Sequence, residues 1–179
     1  SPAEVLARDT IIVLHVDSTR FAAIDLESKC TEAGLVQTQL ADFRNFGHGR
    51  HVWTAKHTKT TSIVALCDNS DKVLCTKTLA LLPSSLPTLM MHFPGDFVEA
   101  AVSSLPSVMK LVGDLGIAKG IDPGRPGVPD FGRKLYHLRM PTRGKVKSTN
   151  VVIERKAGLP EARLSSNGTL STWEGALFD

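Results

Sequence analysis

Cysteine is scarce in this chain: three among 179 residues, an odd number with no Cys-x-x-Cys spacing. That argues against a disulfide frame and against a zinc site. Cys30, Cys67 and Cys75 read instead as structural thiols of a reducing compartment, expected to be the cytoplasm. Long apolar runs are missing too. No eighteen consecutive residues are apolar, so nothing reads as a membrane span and no membrane partner is expected. Charge of one sign is weak: 21 Lys and Arg against 18 Asp and Glu leave +3, too mild to argue for nucleic acid. The cations are spread along the chain, with local clusters at 44–59 and 133–147. Trp53 is the one tryptophan in the first cluster, without the series of aromatics that stacking on bases needs. No internal repeat and no signal peptide are evident. The chain opens on Ser1 rather than Met, as expected of a processed or trimmed product.

What is present is an ordinary globular composition, 42% apolar and 22% charged, in a length that fits one domain with an attached tail. Thr10–Val16 (TIIVLHV) and Thr61–Cys67 (TSIVALC) are continuous apolar runs, the mark of strands buried on both faces. Val36–Leu40 alternates as a short strand, and Thr88–Phe93 forms a fourth behind Pro87. Helices are predicted over Arg20–Leu35, over Asp71–Leu82 and over Phe97–Lys119, the last divided at Pro106. Strands alternating with helices, and no hairpin signals, predict an α/β fold: a three-layer αβα sandwich on a mainly parallel, flavodoxin-like sheet. The expected organisation is a domain over 1–119, an extended Gly- and Pro-rich tail over 120–140 and a C-terminal segment over 141–179. A short amphipathic piece, Phe131–Leu138, lies in the tail, and one strand-like run, Asn150–Glu154, lies beyond it.

The densest chemistry is Asp42–His51, DFRNFGHGRH. Gly47 and Gly49 let the backbone turn and approach a ligand. Guanidinium groups at Arg44 and Arg50 suit a phosphate, and an imidazole at His48 or His51 is left for proton transfer near neutral pH. A plain solvated basic turn would read the same way. Placed beyond the carboxyl end of a parallel strand, the stretch occupies the position where α/β sheets bind ligands. Farther on, Arg125, Arg133 and Lys134 ride on the stiff tail.

Three pieces in order resemble the second half of the sugar-isomerase (SIS) domain family, above all the isomerase domain of glutamine:fructose-6-phosphate amidotransferase. Cys30-Thr31-Glu32 is similar to that family's helix end Lys-Glu. Phe46-Gly47-His48-Gly49 is similar to its Lys-His-Gly-Pro loop, at the same glutamate-to-histidine spacing. The tail Lys119-Gly120-Ile121-Asp122, Arg125-Pro126 and Phe131-Gly132-Arg133-Lys134-Leu135 is similar to its Lys-Gly-Thr-Asp…Gln-Pro-Arg-Asn-Leu-Ala-Lys. The resemblance covers roughly residues 8–138. It implies an aldose–ketose proton transfer on a hexose 6-phosphate, with Glu32 as the base between C1 and C2, His48 assisting ring opening and Lys134 forming a Schiff base. Arg44, Gly47, Gly49, Arg50, His51, Arg125 and Arg133 would contact the substrate, with no cofactor and no metal.

The departures are as informative. Arg50 stands where the family has proline, and Gln37–Ala41 replaces an acidic, alanine-rich stretch. The Ser-x-Ser-Gly-Glu-Thr loop with which such domains grip a phosphate is absent. The resemblance therefore implies a homodimer, or association with a first-half SIS domain that supplies the grip. Ala176–Asp179 (ALFD) resembles the first strand of a haloacid-dehalogenase-type phosphatase. The alternative to an isomerase is a SIS-type module that binds a sugar phosphate or nucleotide sugar without chemistry. A zinc site on His48, His51 and His57 lacks a carboxylate and a frame.

Overall fold

The computed structural model describes residues 1–139. Four strands, β1 (Thr10–His15), β2 (Gln37–Asp42), β3 (Thr61–Asp68) and β4 (Thr88–Phe93), form one sheet in the order β2-β1-β3-β4. All pairs are parallel: Thr10 lies between Gln37 and Thr61, and Ile63 lies beside Thr88. Parallel neighbours need crossovers, and helices supply them. The helices are α1 (Pro2–Leu6), α2 (Arg20–Glu32), α3 (Phe43–Asn45), α4 (His51–Lys56), α5 (Lys72–Ala80), α6 (Phe97–Lys119) and α7 (Asp130–Tyr136), and the crossovers are α2, the α3–α4 pair and α5.

The two central strands feed both faces by simple alternation. Ile11, Val13, Val64 and Leu66 join Leu26 of α2 and Leu115 of α6 in one core cluster. Ile12, Leu14, Ile63 and Ala65 join Phe43, Phe46 and Cys75 in the other. The result is the expected three-layer sandwich, with α2 and α6 on one face and α3, α4 and α5 on the other. β1 and β3 are buried nearly throughout, as their unbroken apolar runs require. β2 and β4 are the edges of the described sheet.

Three elements differ from the sequence expectation. Pro106 does not divide α6, which runs unbroken for 23 residues. An interior proline removes one backbone bond at a cost of about 3 kcal/mol. Here it faces solvent, while Ala100, Ser104, Val108, Leu111 and Leu115 bind the same helix to the sheet. The stretch read as a loop is largely helical: α3 passes through a wide turn, Phe46–Arg50, into α4. Buried Phe43 and Phe46, one turn apart, pin it to the second core cluster. Third, α2 ends at Glu32 and β2 extends to Asp42, so the strand absorbs the start of the expected loop.

A compact unit spans Ser1–Lys134, and a second begins at Leu135. Within the first, Gly120 (φ 66°) closes α6 and the Ile121 N–H returns to the Gly116 carbonyl at 2.9 Å. A Cβ on Gly116 would come within 2.7 Å of the Ile121 carbonyl and the Pro123 ring. The tail therefore lies directly on α6, and only glycine leaves room for it. The 141–179 segment, the run Asn150–Glu154 and Ala176–Asp179 lie outside the described residues.

Candidate functional site

In a sheet ordered this way the chain reverses its direction of growth between β1 and β3, and the crevice beyond their carboxyl ends is the natural ligand position. Two loops form it here, Val16–Thr19 after β1 and Asn69–Asp71 after β3. The buried Ser18 hydroxyl donates to Asp68 Oδ2 at 2.7 Å. Asp68 Oδ1 accepts from the Ser70 N–H at 2.8 Å and the Asp71 N–H at 3.2 Å. Burial by itself would raise the Asp68 carboxyl, but the bond from Ser18 and the backbone N–H groups outweigh it and hold the group below its ordinary value. Burial and the neighbouring Asp68 and Asp17 charges push Asp71 up. On β4, His92 Nε2 meets Asn69 Oδ1 at 2.9 Å. Asp68 thus organises the crevice by internal bonds, and the acidic rim does not favour a phosphate there.

Next to this crevice, beyond the end of β2, the Asp42–His51 segment is built by identifiable bonds. Asp42 caps α3 by accepting the Asn45 N–H at 2.7 Å, the main reason its carboxyl lies below the ordinary range. His48 Nδ1 lies 2.8 Å from the Arg44 carbonyl, and His51 Nδ1 lies 3.1 Å from the Phe46 carbonyl. A carbonyl only accepts, so each Nδ1 carries its hydrogen, and in the neutral ring each Nε2 is left as an acceptor. Arg50 Nη1 donates to the Leu40 carbonyl at 2.9 Å, fixing that guanidinium against the strand end. Arg44 and His48 are exposed. The chain turns at Gly49, whose φ of 146° disfavours side chains. Gly47 has no such angle, and a Cβ on either glycine would meet nothing within 4 Å.

Glu32 is elsewhere. α2 starts at the carboxyl edge of the sheet and runs back, so its last residue lies near the amino edge. The six-residue strand β2, about 20 Å long, separates it from the His48 end. Glu32 is exposed, accepts from Ser28 Oγ at 2.8 Å, and lines a groove of about 630 Å³ between α2 and α6. Lys29, Met109, Gly124 and Pro126 share that groove, and Arg125 lies between the last two on the tail. Lys134 is exposed on α7, and Arg133 pairs with Asp130 at 3.2 Å. One chain therefore brings Arg44, Gly47, His48, Gly49, Arg50 and His51 together. It places Glu32 beside the irregular tail segment that carries Arg125, and it does not join the two groups.

Three further groups can be placed. All three cysteines are buried and free, and burial pushes the Cys30 thiol to about 11 and that of Cys75 to about 12, so neither is an activated nucleophile. Burial holds His15, at the end of β1, below its usual value despite nearby Asp42. Among the described residues no group of three His, Cys, Asp or Glu is placed to hold a metal ion. Sequence reasoning passed over Ser18, Asp68, Asn69 and His92. Asp68-Asn69-Ser70 reads as turn and cap chemistry, and only the strand order places it opposite Ser18.

No protein-family profile matches the chain, and no curated protein matches it in sequence. Among solved structures it is similar to the sugar isomerase domain of the RpiR transcription factor from Sphaerobacter thermophilus. The TM-score is 0.50 at 15% identity, covering 76% of this chain and 83% of that one. At that identity the likeness is one of fold, the SIS-type three-layer sandwich.

Proposed function

We propose that this chain is a SIS-type domain that binds a phosphorylated sugar, with Arg44, His48, Arg50 and His51 contacting the ligand beyond the end of β2. The observation that carries this reading is the construction of that segment. Two guanidinium groups and two imidazoles with free Nε2 atoms stand on one short stretch held in place by its own backbone carbonyls. Arg44 and Arg50 supply charge-assisted bonds to a phosphate. Titration calorimetry with glucose 6-phosphate and fructose 6-phosphate tests it. Arg44→Ala and Arg50→Ala together should weaken binding at least about tenfold. Binding of unphosphorylated hexose with equal affinity, or an unaffected double variant, would sink the reading.

The catalytic version assigns aldose–ketose proton transfer to Glu32, with His48 and Lys134 as proton donor and amine. Its support is the groove that Glu32 shares with the tail. Because β2 separates Glu32 from His48, this version needs a second copy, or a first-half SIS domain, to complete the site between chains. Glu32→Gln should then abolish interconversion while leaving ligand affinity nearly unchanged. A wild-type assembly that binds hexose phosphates and turns none over would leave the binding reading and remove the catalytic one.

A further inference from the structure

The layer made by α3, α4 and α5 is basic apart from Asp42, Asp68 and Asp71 at the carboxyl rim. From Phe43 to Cys67 and from Lys72 to Gly95 there is no Asp or Glu, while Arg44, Arg50, Lys56, Lys59, Lys72 and Lys77 fall in those segments. Five of these six cations lie on the helices or the turn that joins α3 to α4, and Lys59 follows in the turn before β3. These segments therefore carry cations with no carboxylate among them, whereas α2 and α6 mix both signs. That layer also exposes apolar side chains among its cations. Val73 is 64% exposed on α5 and Leu81 86% exposed just past its end, and Val52 and the indole of Trp53 are partly exposed on α4, the indole stacked on His57 at 4.0 Å.

We propose that this layer docks on an anionic lipid surface. Cations without carboxylates seek acidic headgroups, and exposed aliphatics with a tryptophan suit the boundary between headgroups and acyl chains. A nucleic acid would use the cations but not Val73, Leu74 or Leu81, and it would call for more than one stacking aromatic. The cations chosen for the test, Lys56, Lys72 and Lys77, lie outside the proposed sugar-phosphate contacts, so the two readings fail separately.

The experiment is vesicle co-sedimentation of the full chain, with phosphatidylcholine alone and with phosphatidylcholine containing phosphatidylserine. Binding is expected only to the second, and high salt should release it. The variant Lys56→Glu/Lys72→Glu/Lys77→Glu should partition at least about tenfold less. Lys110→Glu on the other layer should partition like the wild type. In a Trp173→Phe background, Trp53 emission should shift to the blue on anionic vesicles. Equal binding to both vesicles, no binding to either, equal loss in Lys110→Glu, or binding to a polynucleotide but not to vesicles would each overturn the proposal.

Discussion

The two helical layers share one sheet and solve their charge problem in opposite ways. On the α2–α6 side, cations sit one turn from carboxylates: Lys29 bonds Asp25 at 2.7 Å and Lys110 bonds Asp114 at 2.7 Å. Exposed pairs of this kind stabilise by only a few tenths of a kcal/mol, but they leave the layer nearly neutral. On the α3–α5 side the cations have no carboxylate in their own segments, and the exposed Arg44 guanidinium and the Nε2 atoms of His48 and His51 keep their bonding capacity for something else. A layer that forgoes so cheap a stabilisation is the layer to search for ligands.

The layers also differ in how they are anchored, and that difference is the easiest to break. Leu115 of α6 is fully buried in the first core cluster, whereas Leu79 of α5 is only partly buried against the second. Leu115→Ala should cost about 2–5 kcal/mol in urea unfolding, and Leu79→Ala distinctly less. Equal losses would mean that the two layers are held alike.

A smaller effect should separate the layers by pH. His15, at the carboxyl rim, has a folded-state pKa lowered from 6.5, chiefly by burial. Between the folded and unfolded values the unfolded chain binds the extra proton, so stability falls as the pH drops below 6.5. Thermal melts should show Tm falling over that range, and His15→Gln should flatten the slope. A slope that persists in His15→Gln would assign the effect to other groups.

The smallest effect sharpens the charge comparison itself. Lys77→Glu places a carboxylate among the cations of α5 and should raise stability slightly at low salt. Lys110→Glu sets a like charge beside Asp114 and should lower it, each by about 0.5 kcal/mol or less. The same sign for both would remove the distinction drawn between the layers.

The strands were legible because burial on both faces forces unbroken apolar runs, and β1, β3 and β4 start at the residues the sequence marks. The parallel sandwich followed from them. Pro106 misled because proline's local penalty is visible in sequence, while the burial of Val108 and Leu115 that overrides it is not. The α3–α4 segment looked like a loop because two glycines and four basic or imidazole groups hide its anchors, Phe43 and Phe46. The spacing of Glu32 and His48 along the chain said nothing of distance, since a whole strand lies between them. The Ser18–Asp68 bond joins residues fifty positions apart, and no local pattern encodes it.

The turn at Gly49 carries a consequence for how this chain tolerates change. A φ of 146° admits no other residue without strain, although nothing crowds the position. Gly47, two residues earlier, is equally uncrowded and lacks that angle. Drift through the segment should therefore erode one glycine and spare the other. A natural variant with alanine at 47 would keep the geometry of His48 and His51, and one with alanine at 49 would have to rebuild it.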